Sequence, residues 1–202
     1  MENNGSTNGN HATNNGSNRK RRPPKIIQPD MDFPELLEEG TKALERGQVS
    51  VAIKLLEQAH KMDPDHPDLL LNLGGAYILS KKFKQAVDIL ELLSDRQPSN
   101  PMVWTNLGAA YLGNPILATD EKQQRAIGAF KLAIALDPKA PNVAYNLGLI
   151  YRDRKENEEA LHWFRRALKA NPKDKDALYY INQLSNQNDD ENDNAPESDQ
   201  SE

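Results

Sequence analysis

The chain has 202 residues, of which 37% are hydrophobic and 27% charged, with no cysteine and a formal net charge of −5. That length suits one compact domain, and the absence of cysteine excludes disulfides, thiolate metal ligands and thiol nucleophiles. No apolar run approaches the roughly 20 residues that span a bilayer and the first residues lack a secretion signal, so a soluble cytoplasmic protein is expected, with a nuclear location as the alternative in a eukaryotic host.

Residues 1–18, MENNGSTNGNHATNNGSN, offer almost nothing to bury, so residues 1–32 are predicted to be a disordered tail. The tail carries RKRRPPK, in which Arg19, Lys20, Arg21, Arg22 and Lys25 form the densest basic block of the chain. Such a block can attract nucleic-acid phosphates, an acidic lipid surface or an import receptor, or it can serve as a solubilising arm. No aromatic residue is interleaved for base stacking. From 33 to 185 the chain holds 20 basic and 20 acidic residues. That balance shows no basic stripe of the kind a duplex-binding domain carries, although a neutral sum is compatible with a local patch.

From residue 33 the chain repeats. Gly40, Gly74 and Gly108 lie 34 apart and Gly148 follows after 40; Ala52, Ala86, Ala126 and Ala160 keep the same series, as do Pro64, Pro98, Pro138 and Pro172. Apolar residues between these landmarks keep helical spacing, as in Leu70, Leu73 and Tyr77, so each unit is predicted to be a pair of helices. The predicted units are 33–66, 67–100, 101–140 and 141–174. Glycine costs about 1 kcal/mol of helix propensity relative to alanine, so its recurrence mid-helix implies a close crossing of two helices. Leu56, Leu90, Phe130 and Phe164, each four residues after the alanine, are expected to fill the gap to the next pair. Each proline ends a unit by lacking an amide hydrogen, placing turns at Asp63, Gln97, Asp137 and Asn171.

These positions resemble the tetratricopeptide repeat (TPR) family, most fully in WTNLGAAY (Trp104–Tyr111) with Ala126, Phe130 and Pro138. The fourth unit matches at Leu147, Gly148, Tyr151, Ala160, Phe164 and Pro172 but has Ala144 in place of the tryptophan. The second matches at Leu73, Gly74, Tyr77, Ala86 and Pro98; the first is degenerate, with Glu39 at the leucine position. The resemblance covers residues 33–185 and implies an all-α solenoid of four helix pairs.

The third unit carries six extra residues between Gly108 and Ala126. Pro115 should end the first helix by Asn114, and the second is predicted to begin at Asp120 as N-cap with Gln123 as its capping-box partner. The extra length then divides between a wider turn and about one helical turn. Ile116 and Leu117 in that turn either tuck against the longer helix or form a lip that meets a partner. Residues 175–185 are predicted to be a capping helix through Leu178, Ile181 and Leu184. From Asn186 the sequence has seven acids and no base and is predicted to be disordered.

Stacked pairs curve, with the first helices of each on the concave side, and the resemblance implies that this side receives peptides. Asn72, Asn106 and Asn146 precede the signature leucine-glycine in three successive units. An asparagine amide both donates and accepts, so a ladder of them can pair with an extended backbone, or alternatively bond within the scaffold. The same register places Leu37, Thr41, Leu44 and Glu45, then Leu71, Gly75, Ile78 and Leu79, on the facing surface. Met102, Thr105, Ala109 and Leu112 follow in the third unit, and Asn142, Tyr145, Leu149 and Arg152 in the fourth. The cationic residues with which some family members clamp a C-terminal carboxylate are missing, since Leu37, Thr41, Met102 and Asn106 stand at those places. Poor affinity for acidic chaperone tails is therefore expected.

His11, His60, His66 and His162 form no zinc spacing, and the His60, Asp63, Asp65, His66 stretch reads as a polar turn. No nucleotide loop or nucleophile elbow appears. The expectation is a protein-binding adaptor or assembly factor with no enzymatic role, cofactor or metal. The alternatives are a self-associating scaffold and a nucleic-acid accessory protein using the basic arm.

Overall fold

The computed structural model describes residues 31–193, and within them the chain is all α. The units are α1 (Phe33–Glu45) with α2 (Val49–Met62), α3 (Pro67–Leu79) with α4 (Phe83–Arg96), α5 (Pro101–Leu112) with α6 (Asp120–Leu136), and α7 (Val143–Asp153) with α8 (Asn157–Ala170), followed by α9 (Lys175–Asp193). Proline in the first turn of α1, α3 and α5 fixes the backbone where its missing donor costs nothing. Asp32 and Asn100 cap α1 and α5, their side-chain oxygens each accepting an amide hydrogen at 3.0 Å. The second helices end where the prolines required, with Asp63, Gln97, Asp137 and Asn171 as C-caps.

Each helix packs on its neighbours in sequence. In addition α1 touches α3 and α3 touches α5, whereas α2, α4 and α6 are not joined to each other to that extent. Closer spacing of the first helices than of the second bends the stack toward α1, α3 and α5.

A methyl group built on the repeated glycines explains their spacing. On Gly40 and Gly74 it would come within 2.7 Å of the Leu56 and Leu90 side chains, and on Gly108 and Gly148 within 2.6 and 2.7 Å of the Phe130 and Phe164 rings. These four large side chains, expected to reach the next pair, are thus seated on the glycine of their own pair, and all four are fully buried. One apolar cluster runs through Leu36, Leu56, Leu73, Leu90 and Leu107; a second runs through Phe130, Leu147, Phe164, Ala177 and Leu184, and Trp104 and Tyr111 border both.

Three boundaries differ from the sequence reading. The N-cap of α6 is Thr119, whose hydroxyl accepts from the Lys122 amide at 3.4 Å, so the Asp120–Gln123 capping box does not form. Gln123 instead is buried, with its Oε1 unpartnered among the described residues. Helix α7 begins only after Asn142, which sits in the left-handed region at φ 63°, so Asn142 is a turn residue and not a facing helical position. Helix α9 continues to Asp193, past the predicted end at 185, and buries Ala177 and Leu184 while Leu178, expected to face inward, points outward.

The extra residues of the third unit divide as expected between turn and helix. Helix α6 is 17 residues long against 14 for α4 and α8, and the turn before it holds a short 3-10 segment, Pro115–Leu117. Ile116 is 92% and Leu117 72% exposed, so the pair is not tucked onto α6.

Candidate peptide-binding face

Of the positions chosen by register, all but Asn142, which lies in the turn before α7, fall on the odd-numbered helices, and none is buried. Leu37 and Thr41 lie on α1, Asn72, Gly75 and Ile78 on α3, and Met102, Thr105, Asn106 and Ala109 on α5. Tyr145, Asn146, Leu149 and Arg152 lie on α7. All of these are half-buried except Met102, which is exposed. Leu37, Leu71 and Ile78 also pack against the first apolar cluster, and Ala109, Tyr145 and Leu149 against the second. The face is therefore an apolar floor shared with the core.

The three asparagines differ in what they already hold. Asn72 donates its amide hydrogen to Thr41 Oγ1 at 2.9 Å, and Thr41 in turn donates to the Leu37 carbonyl at 2.7 Å. This chain ties α3 to α1 and leaves the Asn72 carbonyl oxygen as its available group. The side chains of Asn106 and Asn146 have no hydrogen-bond partner among the described residues. Asn106 leans across Gly75, where an added methyl would stand 3.8 Å from its Nδ2. Gly75 thus keeps the space beside Asn106 open.

Arg152, the one cation of the predicted set on the inner face, is committed. Its guanidinium donates to Asp153 Oδ1 and lies 4.6 Å from the centre of the Tyr180 ring on α9. Burial disfavours its charge, but Asp153 and Tyr180 more than offset this and its pKa is raised. Tyr180 also stacks on Phe164 at 5.1 Å and meets Tyr145 at 6.4 Å, so α9 closes the fourth-unit end of the face.

The signature aromatics serve the scaffold. Trp104 Nε1 donates to the Pro98 carbonyl at 2.7 Å, pinning the unit boundary. Tyr77 donates to Glu57 Oε1 at 2.9 Å and Tyr111 to Glu91 Oε1 at 2.8 Å, each bond joining a first helix to the second helix of the preceding unit. Burial first, then the neighbouring carboxylate, pushes the Tyr77 phenol up to about 12, and the Tyr111 phenol is raised for the same reasons, although Arg125 opposes the shift there. For Tyr151 of the fourth unit, Lys131 on α6 takes the place of the glutamate and lies 5.6 Å from the ring centre. The 34-residue spacing of Glu57 and Glu91 was the available signal for this tie.

Elsewhere, at the turn around Asp63, Asp63 accepts from the Asp65 amide and Asp65 pairs with Arg96 at 2.8 Å, while the Nδ1 atoms of His60 and His66 are buried without a partner among the described residues. Among the described residues no group of three or more histidine, cysteine, aspartate or glutamate side chains is placed to hold a metal ion. No helix among them is long and apolar enough to cross a membrane. Arg19, Lys20, Arg21, Arg22 and Lys25 lie outside the described residues.

Known proteins agree with this architecture. Among solved structures, a crystal structure of MamA is 26% identical, with a TM-score of 0.64 over 79% of this chain and 86% of that one. MamA from residue 41 onward of Desulfovibrio magneticus RS-1 is 22% identical, with a TM-score of 0.62 over 71% and 78% of the two chains. The thermophilic TPR protein TTC0263 of Thermus thermophilus is 20% identical, with a TM-score of 0.65 over 77% and 82%. No curated protein matches. Tetratricopeptide repeat models match residues 43–110 and 117–175, and with helix pairs, glycine crossings and signature positions in register across all four units, the chain belongs to the tetratricopeptide repeat family.

Proposed function

We propose that the chain is an adaptor or assembly factor that holds an extended or helical segment of a partner protein against the face built by α1, α3, α5 and α7. Protein interaction is the general role of the repeat fold. The finer reading is carried by one observation: the half-buried amides of Asn106 and Asn146 lack partners among the described residues and stand in register with Asn72. A half-buried amide with no partner in the fold is open to solvent, and the backbone of a bound chain can replace that water with both a donor and an acceptor. The apolar floor of Leu37, Ile78, Tyr145 and Leu149 takes up side chains of the guest, and Gly75 and Ala109 leave room for them. With Arg152 already engaged, the face favours neutral or apolar segments over free carboxylates.

The test is a selection of peptides from a random displayed library against the intact protein, followed by affinity measurement. Binding should weaken about tenfold or more in N106A/N146A, the loss expected when hydrogen bonds worth about 1 kcal/mol each go missing together. Thermal stability should stay unchanged. Equal affinity for the variant and the original protein would sink the reading.

A further inference from the structure

We propose that the outer side of the fourth unit carries a separate site that binds a phosphate group. Between the C-terminal end of α6 and the C-terminal half of α8 lies a hollow of about 560 Å³, walled by Pro138, Lys139, His162, Arg165, Arg166 and Lys169. Every ionisable side chain on this wall is basic. Positions 162, 165, 166 and 169 are three or four residues apart and so form one stripe of α8, and Lys139 joins them from the turn after α6. The site is separate from the proposed peptide face, since α8 and the turn after α6 contribute nothing to that face.

The carboxylates that flank the hollow in sequence accept bonds from the fold itself. Asp137 accepts from the Lys139 amide at 2.9 Å, and Asp174 accepts from the amides of Asp176 and Ala177, at 3.1 and 3.0 Å. Arg96, Arg125, Arg152 and Arg154 each have a carboxylate partner, whereas Lys139, Arg165, Arg166 and Lys169, like Arg46 after α1, form no ion pair among the described residues. The partial negative charge at the end of α8 accounts for a cation in the last turn, Lys169, but not for two arginines a turn earlier. In a domain with 20 basic and 20 acidic residues, this concentration leaves a local positive field that an anion would neutralise.

The chemistry of the wall favours phosphate. Two guanidinium groups present planar forks of donors that match phosphate oxygens, with lysines to complete neutralisation of a dianion. Arg166 lies 5.4 Å from the centre of the Trp163 ring, which is largely buried and so steadies it. The volume exceeds that of a lone phosphate and leaves room, against Pro138 and the lysine stems, for the group that carries it. No exposed aromatic lines the hollow to stack a base, so a compact phosphate monoester fits better than a nucleic-acid strand. That chemistry is found on a soluble molecule or on a lipid headgroup.

The experiment titrates the full chain, at low chloride, with inorganic pyrophosphate by calorimetry, and in parallel with phosphatidylcholine vesicles with or without phosphatidic acid by sedimentation. R165Q/R166Q should weaken binding about tenfold or more with an unchanged circular dichroism melt, and R165K/R166K, which keeps charge but loses the fork, should fall between. Substituting Arg19, Lys20, Arg21, Arg22 and Lys25 by glutamine in the full chain should leave the R165Q/R166Q-sensitive part intact. Loss of pyrophosphate binding alone identifies a soluble source, and loss of vesicle binding alone a lipid one. The proposal is overturned if the original protein binds neither probe, if R165Q/R166Q binds as well as the original, or if only the N-terminal substitutions abolish binding.

Discussion

Two glycines on neighbouring helices show how little separates a required residue from a dispensable one. Gly108 lies on α5 beneath the fully buried Phe130 ring, 2.6 Å from where its methyl would be. A ring cannot swing aside as the end of an aliphatic chain can, so G108A should destabilise the fold by roughly 1–3 kcal/mol, the range for overpacked cores. Gly128 lies in α6 with nothing within 4 Å of the corresponding position, and it is exposed. There G128A should stabilise by about 0.5–1 kcal/mol through helix propensity alone. Urea denaturation of both variants measures the contrast; equal effects would mean that the crossing is looser than described. The spacing of the glycines made this contact legible, because only a steric reason repeats at 34 and 40 residues. The Asn72–Thr41 bond was not legible, since its partners lie 31 residues apart and nothing local marks them.

Among the elements, α9 is the one whose inner face the sequence misassigned. A spacing of three suggested Leu178, Ile181 and Leu184, but the helix turns Ala177 and Leu184 inward, with Tyr180 and Ile181 at the edge, and leaves Leu178 and Tyr179 exposed. A small inward residue such as Ala177 is easily passed over when a larger apolar one stands beside it. The assignment has a direct check. L184A should cost about 2–4 kcal/mol in denaturant unfolding, as for a buried leucine truncated, while L178S should stay within about 0.5 kcal/mol. Matching losses at both positions would reverse the orientation of the helix. The cap of α6 was misplaced for a similar reason: Thr119 and Asp120 are both good N-cap residues, and backbone geometry, with Thr119 extended at φ −73° and ψ 162°, chose between them. Asn142 delays α7 because it takes a left-handed conformation, which sequence permits but does not announce.

At the scale of the whole molecule, register carried the reading from sequence to surface. Knowing the unit length placed nineteen residues on the facing surface without reference to coordinates; eighteen lie on the odd-numbered helices, Asn142 lies in the turn before α7, and none is buried. What register could not supply is the outer surface, where Lys139 from a turn meets His162, Arg165, Arg166 and Lys169 from a helix more than 20 residues on. The balanced charge total conceals that patch, because compensating acids lie elsewhere along the stack. Each pair is held by its own glycine crossing and, after the first, by a tyrosine or cation–π tie to the pair before it.

The central claim is that a partner polypeptide lies along the inner face and contacts α5. The most direct measurement is site-specific photocrosslinking in the native cell, with a photoreactive side chain placed at Ala109 on α5 or, for comparison, at Gly128 on the outer side of α6. The expected result is a discrete crosslinked protein from position 109 that disappears when Asn106 and Asn146 are alanine, with none from position 128. Crosslinking of the same protein from position 128 but not from 109 would contradict it.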